Sequence, residues 1–468
     1  MVSTPVRVRV RMYQVGFGDC LLISVEYDEP LADGRAERHI LVDYGTSHSP
    51  RKGFVRGRMA DVAALIEQHT HGVLDVLVVT HRHRDHLRGF EVDAGAEILR
   101  RLAPKVVLRS WTENPGLAAD AAGPADEPGL AAAPGGPAAA PAGPAAAPAD
   151  GVVGPASIRY ARLLGTAQEH AGALAGLAAH DKLVAAAADE QLKNADAVKL
   201  LDELSADRRG RYLYTGADAG IADLVPGLVT TVLGPPTPDQ EPDVTRQAED
   251  DDEYWLTALD ASLALSTTIA AAEAGDAAEA DADGYGDSVP VGPGPVRWLI
   301  DNLKAQRTHS LLRLVRNLDD ALNNTSLLLL FEIGGLSLLF PGDAQIENWQ
   351  HTLKRFAKEP ELRAKLASVD LYKVGHHGSR NATPRTLWSL WKDRPDTLPR
   401  LTTLMSTRSG VHGKAVDTAV PQDNLVAALK EVSDLYSSDD DARADSTYLE
   451  VEAEVAQGGP FRLVPPTP

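Results

Sequence analysis

One cysteine, Cys20, in 468 residues rules out a disulfide within the chain and leaves no cysteine-built zinc site, a usage that fits a reducing compartment. Positive charge is also short. The 46 Lys and Arg stand against 66 Asp and Glu, for a formal net charge of −20. That balance argues against a diffuse nucleic-acid or anionic-membrane surface, so any basic site has to be local. Long apolar runs are missing. The greasiest stretch, SLLLLFEIGGLSLLFP, is interrupted by Glu332 and the Gly334-Gly335 pair, and it predicts a β-hairpin instead of a membrane span. The opening MVSTPVRVRVRMYQV alternates like a strand and lacks the apolar segment of a secretory signal. The expected location is the cytoplasm, with no membrane partner.

What is present suffices for a large core, since 44% of the residues are apolar. Strand-like runs (VRVRMYQV, CLLISVEY, HILVDYG, LDVLVVT) alternate with a helical MADVAALIEQH, which is an α/β pattern. The expected first half of the main domain is 1–115. Residues 116–156 collapse to Ala, Pro and Gly, as in GLAAAPGGPAAAPAGPAAAPADG, and are expected to be a disordered linker. Residues 157–300 read as an inserted helical region with an acidic loop, although GLVTTVLGPP within it has the composition of a strand. The α/β pattern resumes over 301–468 with TSLLLLFEIGGLSLLFPGD, VDLYKVGHHGS, LTTLMSTRSGVHG and STYLEVEAE.

Histidine is sparse, with 14 residues, so its distribution carries information. Residues 78–90, VVTHRHRDHLRGF, place His81, His83, Asp85 and His86 directly after the β-branched run LDVLVVT, where a buried strand gives way to a loop. Three more apolar strands end the same way and deliver Asp343, the pair His376 and His377, and His412. Imidazole and carboxylate ligands without thiolates suit zinc, manganese or iron. Isolated histidines such as His39, His48, His69, His71, His170, His180, His309 and His351 lack this setting and read as ordinary surface or core residues.

THRHRDH resembles the H-x-H-x-D-H motif of the metallo-β-lactamase fold superfamily. More narrowly, QVGFGDCLLI, ILVDYG, VLGPP, NNTSLLLLF, FPGD and KVGHHGS occur in the order found in the hydrolase domain of competence DNA-uptake proteins. The resemblance covers roughly residues 6 to 115 and 210 to 415. It implies an αββα sandwich with a two-metal site at the sheet edges. On that pattern His81 and His83 serve a first ion, Asp85 and His86 a second, Asp343 bridges them, and one of His376 and His377 completes the site of the second ion. Asp43 resembles the aspartate that orders the metal-bearing loop. No strand-end histidine lies between the motif and Asp343, so the first ion is short of a ligand, and His412 is a candidate either for that place or for substrate contact.

Such a centre implies a hydrolase, because zinc brings the pKa of bound water down to about 7 and so supplies hydroxide at neutral pH. Asp85 or Asp343 would orient the water and take its proton, and His377 or His412 would protonate the leaving group. Arg82, Arg84 and Arg88 interleave with the motif, Lys373 and Arg380 flank the histidine pair, and Arg408 and Lys414 flank His412. This local basicity favours an anionic substrate, namely a phosphodiester of a nucleic acid or nucleotide. A carboxylic ester, lactone or amide is the alternative substrate class, and a non-catalytic protein stabilised by metal is a third reading.

Overall fold

The computed structural model describes residues 3–50, 58–91, 93–114, 194–241, 321–411, 419–440 and 446–465. His412 and Lys414 fall outside the described residues, as do the Ala/Pro/Gly stretch and most of the region expected to be inserted.

Two mixed sheets form the centre. The first contains β1 (Pro5–Tyr13), β2 (Leu21–Tyr27), β3 (Glu37–Val42), β4 (Val76–Val78), β5 (Val106–Ser110), β6 (Gly210–Leu213), β13 (Tyr448–Glu454) and β14 (Arg462–Leu463), in the order β14-β13-β1-β2-β3-β4-β5-β6. The second contains β7 (Leu228–Gly234), β8 (Leu328–Ile333), β9 (Leu336–Phe340), β10 (Leu371–Lys373), β11 (Leu401–Met405) and β12 (Ser433–Ser437), in the order β12-β11-β10-β9-β8-β7. Each sheet is antiparallel on one side and parallel on the other: β3, β4, β5 and β6 run together, as do β9, β10, β11 and β12.

Period-two alternation explains how the layers stack. Ile40, Val42, Val76, Val78, Leu329, Phe331, Leu338, Phe340 and Leu371 share one core between the sheets. Their alternates Leu41, Leu77 and Val107 pack outward against helices Arg58–His69, Arg84–Glu91, Asp93–Leu102 and Ala195–Ser205. On the other sheet Leu328, Leu330, Leu339 and Tyr372 pack outward against Ile346–Arg355, Pro360–Ala367, Arg385–Lys392 and Asp423–Val432. The result is helices, sheet, sheet, helices. Short runs such as VLV in β4 are apolar throughout because both of their faces are covered. Where no helix covers β1, its outward residues are charged: Arg9 reaches Glu26 at 2.7 Å while Val8 and Val10 point to the core. No helix among the described residues is long and apolar enough to cross a membrane.

The stretch 194–241 departs from the expected insertion. It supplies the edge strand β6 to the first sheet and β7 to the second, so this part belongs to the layered body. The β-branched and apolar residues of LVTTVLG outweigh the helical character of the preceding sequence once β8 is available for pairing. The interrupted apolar stretch is the β8–β9 hairpin, with Gly334 and Gly335 both at positive φ in its turn.

Candidate metal centre

The parallel strands β3, β4, β9, β10 and β11 all end at the same edge of the sandwich, and the loops leaving them carry the polar residues. Open α/β sheets place their sites at such carboxyl ends. The two sheets are tied together there by Leu327 N–H, which donates to the Thr80 carbonyl (2.9 Å), and within the second sheet Asp343 N–H donates to Ser326 Oγ (3.2 Å).

Asp85, His86, Asp343 and His377 converge so that one ligand atom from each lies within 4.8 Å of the others. His86 Nε2 is 3.1 Å from Asp343 Oδ2, and His377 Nε2 is 3.1 Å from Asp85 Oδ2 and 3.4 Å from Asp343 Oδ2. The other ring nitrogens are anchored. His86 Nδ1 donates to Asp43 Oδ2 (2.8 Å), and His377 Nδ1 donates to the Ser406 carbonyl (2.9 Å). Anchoring Nδ1 in this way turns each Nε2 towards the cluster, which is how metal-binding imidazoles are normally held. Asp43 is itself fixed by Thr80 N–H (2.8 Å) and Thr80 Oγ1 (2.7 Å). Three of its acceptor sites are thus taken by Thr80 and His86, and it orients the His86 ring.

Backbone geometry serves the same end. Asp43 sits at φ 55°, His376 at 42° and His377 at 53°, a region that side-chain-bearing residues seldom occupy and that costs energy to hold. Both histidines lie in the short 3-10 turn Gly375–Gly378, yet only His377 turns inward and is buried, while His376 remains partly exposed. Of the pair, His377 is the one that lies in the converging group.

His81 and His83 are buried beside this group. Their rings meet each other, with His81 Nε2 2.9 Å from His83 Nδ1, and the His81 ring centroid is 4.2 Å from that of His86. They form no joint group with Asp343 in the arrangement described.

The charges follow from burial and neighbours. Burial and the cationic His86 push the His81 pKa well below its ordinary value, and burial brings His83 down to about 4, so both rings are neutral. Burial opposes charge on His86 and His377 too, but there the carboxylates prevail. Asp343, Asp43 and Asp85 raise His86 well above its ordinary value, and Asp343, Asp85 and Asp19 raise His377 to about 10. Burial would raise Asp85 and Asp343, yet the imidazolium neighbours hold both below the usual carboxylate range. Protons on His86 and His377 thus balance the acidic cluster, and a divalent cation would replace them. The donor set fits such an ion. It has two nitrogens and two carboxylates, no thiolate, and Asp343 Oδ1 takes no hydrogen bond from the described residues.

Two participants are not singled out by the sequence alone. Asp19, in the β1–β2 connection, forms an ion pair with Lys373, and its N–H donates to the Asp85 carbonyl (3.0 Å). The glycines around it in GFGD are the available signal. Thr80, the residue before the motif, braces Asp43. Among the basic residues Arg82 pairs with Glu113, Lys373 is buried on Asp19, and Arg408 donates to the Ser49 carbonyl; Arg82, Arg84, Arg88, Arg380 and Arg408 are all half-buried. Compared with models of protein families and with curated proteins, the chain matches none.

Proposed function

We propose that the chain is a metal-dependent hydrolase of the metallo-β-lactamase type, similar to the hydrolase domain of competence DNA-uptake proteins, and that it cleaves a phosphodiester. The observation that carries the reading is the buried quartet Asp85, His86, Asp343 and His377 at the strand ends. The helix, sheet, sheet, helix order and the two-residue alternation of the H-x-H-x-D-H motif support it.

Asp85, His86, Asp343 and His377 would hold a zinc, manganese or iron ion, with His81 and His83 adjacent for a second. When bound, such an ion ionises water near neutral pH and draws charge from the bond under attack. The chain's own residues do the rest. Asp43 and the Ser406 carbonyl keep the two imidazoles in one tautomer, each with Nε2 on the cluster. Asp85 is the most exposed of the four, with 16% of its side chain accessible, and is the group positioned to accept a proton from an incoming water. Arg84, Arg88 and Arg380 lie close in sequence to the ligands, where they favour an anionic substrate over a neutral one.

Hydrolysis of a carboxylic ester, lactone or amide is the second reading. It is favoured by the engagement of Arg82 with Glu113 and of Lys373 with Asp19, which removes two of the basic residues from substrate recognition. An activated aryl phosphodiester and a panel of lactones and esters, each with and without chelator, separate the two. Chelator-sensitive phosphodiester cleavage restored by zinc or manganese is expected. Cleavage of lactones alone would replace the substrate class, and inertness towards every substrate by metal-loaded protein would count against a hydrolase.

A further inference from the structure

Lys373 is the last residue of β10, and the alternation that sends Leu371 into the inter-sheet core and Tyr372 out against the helices sends Lys373 inward, beneath the ligands. Its side chain is 2% exposed, and its ammonium pairs with Asp19, which is equally buried. Asp343 Oδ1 stands 3.9 Å from the same ammonium. An ammonium in an apolar core is costly unless it is paired, so it will take whichever carboxylate is within reach.

Asp19 is held ready to be that partner. Its N–H donates to the Asp85 carbonyl and its own carbonyl accepts from Gly45 N–H, both at 3.0 Å, which fixes the loop against the two segments carrying Asp85 and Asp43. Asp19, Asp43 and His86 also bring ligand atoms within 4.8 Å of one another. In that group Asp43 is occupied by Thr80 and His86, and Asp19 by Lys373, so the group already contains its cation.

We propose that Lys373 is a positioning residue of the metal centre, a built-in cation whose pairing with Asp19 leaves the Asp343 carboxylate to a metal ion. The inference rests on the reading of Asp343 as a ligand. Lys373 and Asp19 act as one neutral unit. Without the Asp19 charge, the ammonium closes on Asp343 and competes with the ion. Without the ammonium, Asp19 adds negative charge 3.8 Å from His377 Nδ1 and 3.9 Å from His86 Nδ1, so cation binding is undiminished.

The two single substitutions are therefore expected to differ, with a loss for Asp19→Asn and none for Lys373→Met, whereas a pair that served only to stabilise the fold would give losses in both. The test is competition of zinc between a chromophoric chelator and the full chain, read for wild type, Asp19→Asn, Lys373→Met and the double variant. Asp19→Asn should weaken zinc binding by about tenfold or more, Lys373→Met should bind at least as tightly as wild type, and the double variant should return to within about threefold of wild type. Equal affinity in Asp19→Asn and wild type, or tenfold weakening in Lys373→Met, would overturn the proposal. Should Asp19→Asn fail to fold, Asp19→Ser, which also removes the charge, is read in its place against the same outcomes. Absence of zinc binding by the wild type would overturn the metal-centre reading and this inference with it.

Discussion

At the scale of single residues, burial and one backbone contact separate neighbours that look alike. His376 and His377 share a turn and left-handed backbone angles, but only His377 meets the Ser406 carbonyl and the Asp85 carboxylate. Replacing His377 with alanine should lower zinc affinity by about tenfold or more, while His376→Ala should leave it near wild type, as read by chelator competition. Asp43→Asn keeps the size of the residue that anchors His86 but weakens the acceptor. It should cost about 10- to 100-fold in metal affinity with little change in circular dichroism. The strand-end pattern of the sequence points to Asp85, His86 and Asp343, which the structure brings together, and also to His81 and His83, which lie beside that group. It cannot choose within the histidine pair, because that choice is made by φ angles and by Ser406 on a separate strand end. Nor can it reveal Asp19, whose partner Lys373 lies on the other sheet and whose own loop has no periodic pattern.

At the scale of elements, the site is a junction of loops that approach more closely than side chains allow. A Cβ on Gly45 would stand 2.3 Å from the His86 carbonyl carbon and 2.4 Å from the Asp85 carbonyl oxygen, both backbone atoms that cannot give way without moving the ligands. Gly18, at φ 153°, faces the same Asp85 oxygen at 2.6 Å. Gly45→Ala is therefore expected to reduce metal occupancy and lower the melting temperature together, measured by elemental analysis and thermal unfolding. Retention of both would show that the junction is looser than described. Strands are legible from alternation and β-branched runs, and the β8–β9 hairpin from its two glycines. The strand β7 is legible in GLVTTVLGPP, but the four-residue edge strand β6 is harder to assign, because an Ala-rich neighbourhood obscures a short strand whose pairing partner is remote in sequence.

For the molecule as a whole, the buried His39 and the half-buried His69 contribute to the response to acid. Burial lowers the His39 pKa to about 3 and that of His69 to about 4, below the ordinary 6.5 of an unfolded chain. Between pH 6.5 and those values the unfolded chain binds protons that the folded chain refuses, so stability present above pH 6.5 is lost as the pH falls through 4 towards 3. A tenfold difference in proton affinity between the folded and unfolded chains is worth about 1.4 kcal/mol, so His39→Asn should reduce the loss of stability between pH 7 and pH 4 by on the order of 1 kcal/mol or more. Urea unfolding of wild type and variant at the two pH values checks it, and parallel losses in both would remove His39 from the account.

The metal centre proposed at Asp85, His86, Asp343 and His377 turns on Asp343, the residue both imidazoles approach. Its most direct test is zinc titration of the full chain against a chromophoric chelator, with wild type beside Asp343→Asn. Tight binding by the wild type and weakening of about tenfold or more in a folded variant is the predicted result. Equal affinities, or a wild type that binds no zinc, would contradict it.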